Sequence, residues 1–152
     1  MDTKSSRTMS KAEFEVLAAF RYQLRRFLRF SEELTRRHGV TPLQYQLMLQ
    51  VQGFPGRDWA TVAELAERLQ AKHHGVVALV SRCEAAGLVH RGASRDDQRR
   101  VEVHLSAAGR QCLDRLARLH RDELRSVADG FVVPGLADVA TALVTRRAST
   151  PR

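Results

Sequence analysis

The sequence predicts a mainly α protein with one small β-hairpin, and three observations carry that reading. Apolar residues recur at helical spacing through most of the chain. Strict alternation appears in one place, Val101-Glu102-Val103-His104-Leu105, the pattern of a strand with one buried face. Just before it, the segment Lys72–Arg91 runs from helical spacing into a short β-like piece, Leu88–Arg91, through Gly87. Two closely joined helices followed by an arginine-tipped hairpin define a winged helix-turn-helix. Further helices on either side would flank it.

A first helix starts at Ser10, where Ser10 and Glu13 form the capping-box pair S-K-A-E. Its apolar residues Phe14, Leu17, Ala18, Phe20, Leu24, Phe27, Leu28, Phe30 and Leu34 occupy more than one stripe. A surface helix needs one apolar face, so the surplus implies a second partner, a copy of the same chain. Arg21, Arg25 and Arg29 form an i, i+4 column, explained by a solvated face or by contact with phosphates. His38-Gly39 closes the helix. Thr41-Pro42-Leu43-Gln44 opens the next, Pro42–Gln52, with Thr41 as N-cap and Gln44 completing a second capping box. Gly53 ends it ahead of Phe54-Pro55-Gly56.

Trp59 falls in a short extended segment before a third capping box, Thr61-Val62-Ala63-Glu64. The helix Val62–Leu69 turns Leu65, Ala66 and Leu69 inward, and Gln70-Ala71 connects it tightly to the helix beginning near Lys72. In that helix Val76, Leu79, Val80 and Cys83 share one side, leaving Lys72, His73, Val77, Ser81 and Arg82 to project elsewhere. The nine-residue loop Gly92–Arg100 sets Arg95, Arg99 and Arg100 against Asp96 and Asp97. Ser106 caps a long helix with Leu113, Leu116, Leu119, Leu124 and Val127. After Asp129-Gly130, Pro134 starts a last helix carrying Leu136, Val139, Ala140, Leu143 and Val144 on one face.

This divides the chain into a tail (1–9), a helical dimerisation region (10–40 with 106–147), the winged helix-turn-helix (41–105) and a second tail (148–152). Both tails are expected to be disordered.

The 152 residues suit about one domain, and no run of 18 or more apolar residues or signal-peptide pattern occurs, so a cytoplasmic protein without membrane contact is expected. Net charge is +8, with 22 Arg against 3 Lys. Residues 57–105 are nearly balanced, but Arg68–Arg100 holds seven basic and three acidic side chains, so the excess is local to the proposed reading edge. Cys83 and Cys112 make no disulfide framework and sit at apolar positions, which suits inert core thiols in a reducing compartment better than redox sensors. Adjacent His73 and His74 diverge by about 100° on a helix, and no H-x-x-x-H or C-x-x-C occurs, so no metal site or cofactor is expected. No glycine-rich phosphate loop or nucleophile–base arrangement survives as a catalytic site, and an enzyme is not expected.

Asp97-Gln98-Arg99-Arg100 through Leu105-Ser106 and Gly109 resembles the wing signature of the bacterial multiple-antibiotic-resistance regulator (MarR) family, D-x-R followed by a strand and L-T-x-x-G. Thr41 to Gln44 with Tyr45, Glu64-Leu65-Ala66 and Glu84 through Val89 are similar to the family's other motifs, over residues 12–147 in all. Gln98, Ser106, Cys83 and His73-His74 depart from it, the last pair replacing small hydroxyl residues at the start of the recognition helix.

The resemblance implies a homodimeric, sequence-specific regulator of transcription, a repressor, on a pseudo-palindromic double-stranded DNA operator, released by a small aromatic or phenolic effector. It makes Arg99 the minor-groove arginine. The DNA-binding candidates are Thr61, Lys72, His73, His74, Val77, Ser81, Arg82, Arg95, Asp97, Arg99 and Arg100, with Asp97 holding a wing arginine by a charge-assisted hydrogen bond. Tyr22, His38, Met48 and Trp59 are the candidates for an effector pocket, each better explained by simple packing. The family's peroxide-sensing branch carries a cysteine early in the first helix, and none stands there. Two rival readings are a winged helix that binds protein rather than DNA, and a thiol or metal sensor.

Overall fold

The computed structural model describes residues 8–94, 97 and 99–127. Its elements are α1 (Lys11–Arg37), α2 (Pro42–Gln52), β1 (Trp59–Thr61), α3 (Val62–Leu69), α4 (His73–Ala85), β2 (Val89–Ala93), β3 (Val101–Leu105) and α5 (Ala107–Val127). The expected last helix from Pro134 and both tails, apart from Thr8 and Met9, lie outside the described residues.

The chain divides into two compact units, residues 30–122 and the two terminal segments. In the larger unit, β1, β3 and β2 form an antiparallel sheet in that order, with Trp59 opposite His104, and Val89 opposite Leu105. One sheet face supplies Ala60, Val89, Val103 and Leu105 to the core. Leu47, Met48 and Val51 of α2, Leu65 of α3, Val76, Val80 and Cys83 of α4, and Leu116 of α5 complete it.

Local chemistry fixes the element boundaries. Both predicted capping boxes in this unit form: Gln44 N–H donates to Thr41 Oγ1 (3.2 Å) and Glu64 N–H to Thr61 Oγ1 (3.3 Å), and the glutamine and glutamate oxygens return the bonds. The α3–α4 turn passes through Gln70 at φ 50°, a left-handed conformation rarely taken by a side-chain-bearing residue, held by a Gln70 side-chain bond to the Glu67 carbonyl (2.6 Å). Gly109 sits where a Cβ would lie 2.0 Å from the Leu88 carbonyl oxygen, so only glycine lets α5 start against the root of the hairpin. Ser106 seals the same corner: its hydroxyl donates to the Gly87 carbonyl (2.6 Å) and accepts from Gly109 N–H (2.9 Å).

His120, like Thr35, is a buried polar residue of this unit. Its Nδ1–H donates to the Leu116 carbonyl (2.7 Å) and Nε2 accepts from the Ser31 hydroxyl (2.7 Å). Its ring stacks on Tyr45 at 4.3 Å, with Phe30 edge-on at 5.9 Å. Burial pushes its pKa down.

In the terminal unit, the capping box of Ser10 and Glu13 forms, with Ser10 N–H donating to Glu13 Oε2 at 2.6 Å. Phe14, Val16, Leu17, Tyr22 and Leu28 of α1 are exposed. Phe14, Leu17 and Leu28 lie on one side of the helix, and Val16 projects from the opposite side.

Two expectations need correction. Strand β2 spans Val89–Ala93 rather than Leu88–Arg91, because Ser94 N–H still pairs with the Arg100 carbonyl (3.1 Å) and carries the ladder further, which shortens the loop. Val101 is exposed despite its alternating position, since it lies at the far end of the hairpin beyond the core.

Candidate nucleic-acid interface

The free face of α4 and the hairpin enclose one groove of about 420 Å³, lined by Thr61, Val62, Ala63, Glu64, His73, Val77, Arg91, Arg99, Arg100 and Val101. Amphipathic spacing builds it: the four apolar residues that anchor α4 in the core leave His73, His74, Val77, Ser81 and Arg82 exposed. Lys72 is the N-cap of α4 and makes no side-chain capping bond, so the first amides of that helix face outward uncapped. Such amides favour an anion.

The expected residues fall into distinct places. Thr61, His73, Val77, Arg99 and Arg100 line the groove together. Lys72 and His73 border a shallower depression beside Ala63, Ala66, Glu67 and Gln70 of α3 and the turn after it. His74 and Arg82 are exposed on α4 outside the groove lining. Ser81 is exposed too, but its hydroxyl donates to the Val77 carbonyl (3.1 Å) and accepts from Arg91 (2.8 Å). Asp97 shapes the wing: Oδ1 accepts from Arg99 N–H (3.0 Å), its carbonyl accepts from Arg100 N–H (3.0 Å), and Oδ2 lies 4.0 Å from Arg100 Nε. Arg95, like Asp96 and Gln98, lies outside the described residues.

The suggested effector contacts are dispersed in their roles. Met48 is fully buried in the core, His38 Nδ1–H donates to the Leu34 carbonyl (2.9 Å) as a helix end-cap, and Tyr22 is exposed on α1. Trp59 lies under the Arg57 guanidinium, 3.9 Å from the ring centre, and the same guanidinium covers Phe54 at 4.2 Å and pairs with Glu64. Burial alone would raise the Glu64 pKa, but the Thr61 amide and hydroxyl and Arg57 together hold it below the usual carboxylate value.

Sequence reasoning missed three charged groups here: Arg57, Glu64 in its second role as an ion-pair partner, and Arg91. Arg91 pairs with Glu84 across a helix–strand junction, and with the two on different elements no single periodicity relates them. Among the described residues no group of His, Cys, Asp and Glu is arranged to hold a metal ion, and no helix is long and apolar enough to cross a membrane. Both cysteines are buried, and burial pushes the Cys83 thiol up to about 11.

A helix-turn-helix whose second helix is free on one side, followed by a hairpin edged with arginine, makes this a winged helix-turn-helix protein. A family model described as the MarR family matches residues 38–100 of this chain. It is 30% identical over 96 residues to a Thauera aromatica protein named for transcriptional regulation of the hcr operon, a match covering 63% of this chain and 56% of the relative. The chain thus spans just over half the length of the curated relative it matches. The fold is shared with AbsC, a MarR family transcriptional regulator from Streptomyces coelicolor, at TM-score 0.72 and 20% identity over 91% of this chain and 93% of that one. It is also shared with the S. aureus MepR F27L mutant bound to an oligodeoxyribonucleotide, at TM-score 0.60 and 17% identity over 93% and 98% of the two chains.

Proposed function

We propose that this chain is a transcriptional regulator that binds double-stranded DNA as a homodimer and reads it with α4. One observation carries the reading: the uncapped N-terminus of α4, its exposed face and the wing arginines Arg99 and Arg100 converge on a single groove. In this reading α4 enters the major groove, with His73, His74 and Val77 nearest the base edges. Lys72 and the first amides of α4 meet phosphate, and Arg99 reaches the flanking minor groove. Arg82 and Arg95 add phosphate contacts, while Thr61 and Asp97 hold the α3 end and the wing in shape. The likeness to an oligonucleotide-bound MepR mutant supports this assignment.

Exposed Phe14, Leu17 and Leu28, on one side of α1, support the dimer, because a matching copy would cover them. Two α4 helices about 34 Å apart would then read the halves of a pseudo-palindrome. Repression, with release by a small aromatic or phenolic effector, extends the same reading, and Tyr22, His38, Met48 and Trp59 remain its suggested contacts. No bond-making step is needed at any of these residues, so we assign no enzymatic activity.

The test is selection of bound duplexes from fragmented bacterial DNA, followed by titration of the recovered sequence at several salt concentrations. A recovered inverted repeat, with affinity falling steeply as salt rises, is the expected result. Failure to enrich any sequence, with flat salt dependence, would instead make the groove a protein-docking surface.

A further inference from the structure

Arg91 lines the groove, yet its side chain is bonded within the protein. Its backbone N–H donates to Glu84 Oε2 (3.0 Å) and Nη1 to Glu84 Oε1 (3.1 Å). Nη2 donates to the Val77 carbonyl (3.2 Å) and to Ser81 Oγ (2.8 Å). One side chain on β2 thus grips α4 at three successive points, Val77, Ser81 and Glu84, along the face that carries the reading residues. A planar guanidinium with several donors in fixed directions sets an angle as well as a distance, which a lysine would not do. The Arg91 side chain is 29% exposed, so this bonding is only partly open to competing water.

We propose that Arg91, with Glu84 and Ser81, is a positioning residue that locks the wing to α4, so that helix and wing meet the duplex at one fixed spacing. The inference rests on the DNA-binding reading above. Its rival is direct: Arg91 is a phosphate contact, and Glu84 only a nearby negative charge.

Glu84 separates the two, because they demand opposite signs. If Arg91 is a phosphate contact, Glu84→Gln removes a repelling charge, frees the arginine and leaves affinity equal or tighter. If Arg91 is a lock, Glu84→Gln loosens the wing and weakens binding.

The experiment titrates the full chain and its variants against the recovered duplex and against one trimmed of the flanking pairs that the wing reaches. We expect Arg91→Met and Glu84→Gln each to weaken binding to the full duplex by about tenfold, and the double variant by no more than about tenfold, since coupled partners are not additive. Both should bind full and trimmed duplexes alike, whereas the unaltered chain should lose affinity on trimming. The salt slope should stay unchanged in Glu84→Gln.

Unchanged or tighter binding by Glu84→Gln, or fully additive losses, would overturn the lock. If Arg91→Met does not fold, Ser81→Ala, which removes one acceptor of the guanidinium and the hydroxyl's own bond to Val77, must show the same insensitivity to trimming or the lock is again overturned. Absence of DNA binding by the unaltered chain would retire the DNA-binding reading itself, and the lock with it.

Discussion

Arg99 and His120 show how differently two single side chains act in this chain. Arg99 is exposed at the wing, its backbone N–H bonded to Asp97, and the residue lines the groove. Arg99→Ala should weaken operator binding by about tenfold or more without changing the dimer, as judged by anisotropy titration beside sedimentation. His120 is held neutral, its pKa lowered by burial. The unfolded chain takes up the proton first as pH falls through about 6.5, so His120 contributes stability above that value and loses it below. Denaturant unfolding at pH 7.5 and pH 5.5 should therefore show a drop that is smaller in His120→Gln. Equal drops in both proteins would remove His120 from the acid response. Cys83 belongs to the same scale: a thiol raised to about 11 and fully buried should resist alkylation by iodoacetamide until the chain unfolds.

At the level of elements, the short helix α3 depends on its cap. The Thr61 hydroxyl accepts from the Glu64 amide, and the Glu64 carboxylate answers the Thr61 amide while pairing with Arg57. Thr61→Ala should cost about 1 kcal/mol of stability in chemical denaturation. The hairpin root is less tolerant. Gly109→Ala puts a methyl group into the Leu88 carbonyl, and a loss of about 3 kcal/mol or more is expected, with the thermal midpoint falling accordingly. These elements are also where the sequence was most readable. Helices α2 and α3 and strand β3 appear at the predicted bounds, because cap, proline and alternation each have a local cause. The far end of β2 was not readable: Ala93 and Ser94 carry no strand signal, and pairing with Val101 and Arg100 decides their conformation. For the same reason the site was half visible. Helical spacing exposed His73, Val77 and Ser81, but only folding brings Arg91 against Ser81 and Glu84 and occupies a hydroxyl that looked free to read bases.

For the molecule as a whole, charge and apolar surface point to two associations. The net charge of +8 is a small bias by itself; in the proposed reading Lys72, Arg82, Arg99 and Arg100 would supply the local steering charge. The exposed apolar residues of α1 predict a thermal midpoint that rises with protein concentration, since folding and pairing are then linked by mass action. Phe14→Glu should abolish that dependence and yield a monomer on sedimentation. A dimer unaffected by it would place the association elsewhere.

The tight corner at Gly109 has a mechanical meaning. With the Leu88 carbonyl close enough to exclude even a methyl group and Ser106 bonded to Gly87, the base of the hairpin cannot slide along the start of α5. The two behave as a crank and its handle. Any agent that tilts the start of that long helix would swing the arginine-bearing finger with it, and no separate hinge would be required.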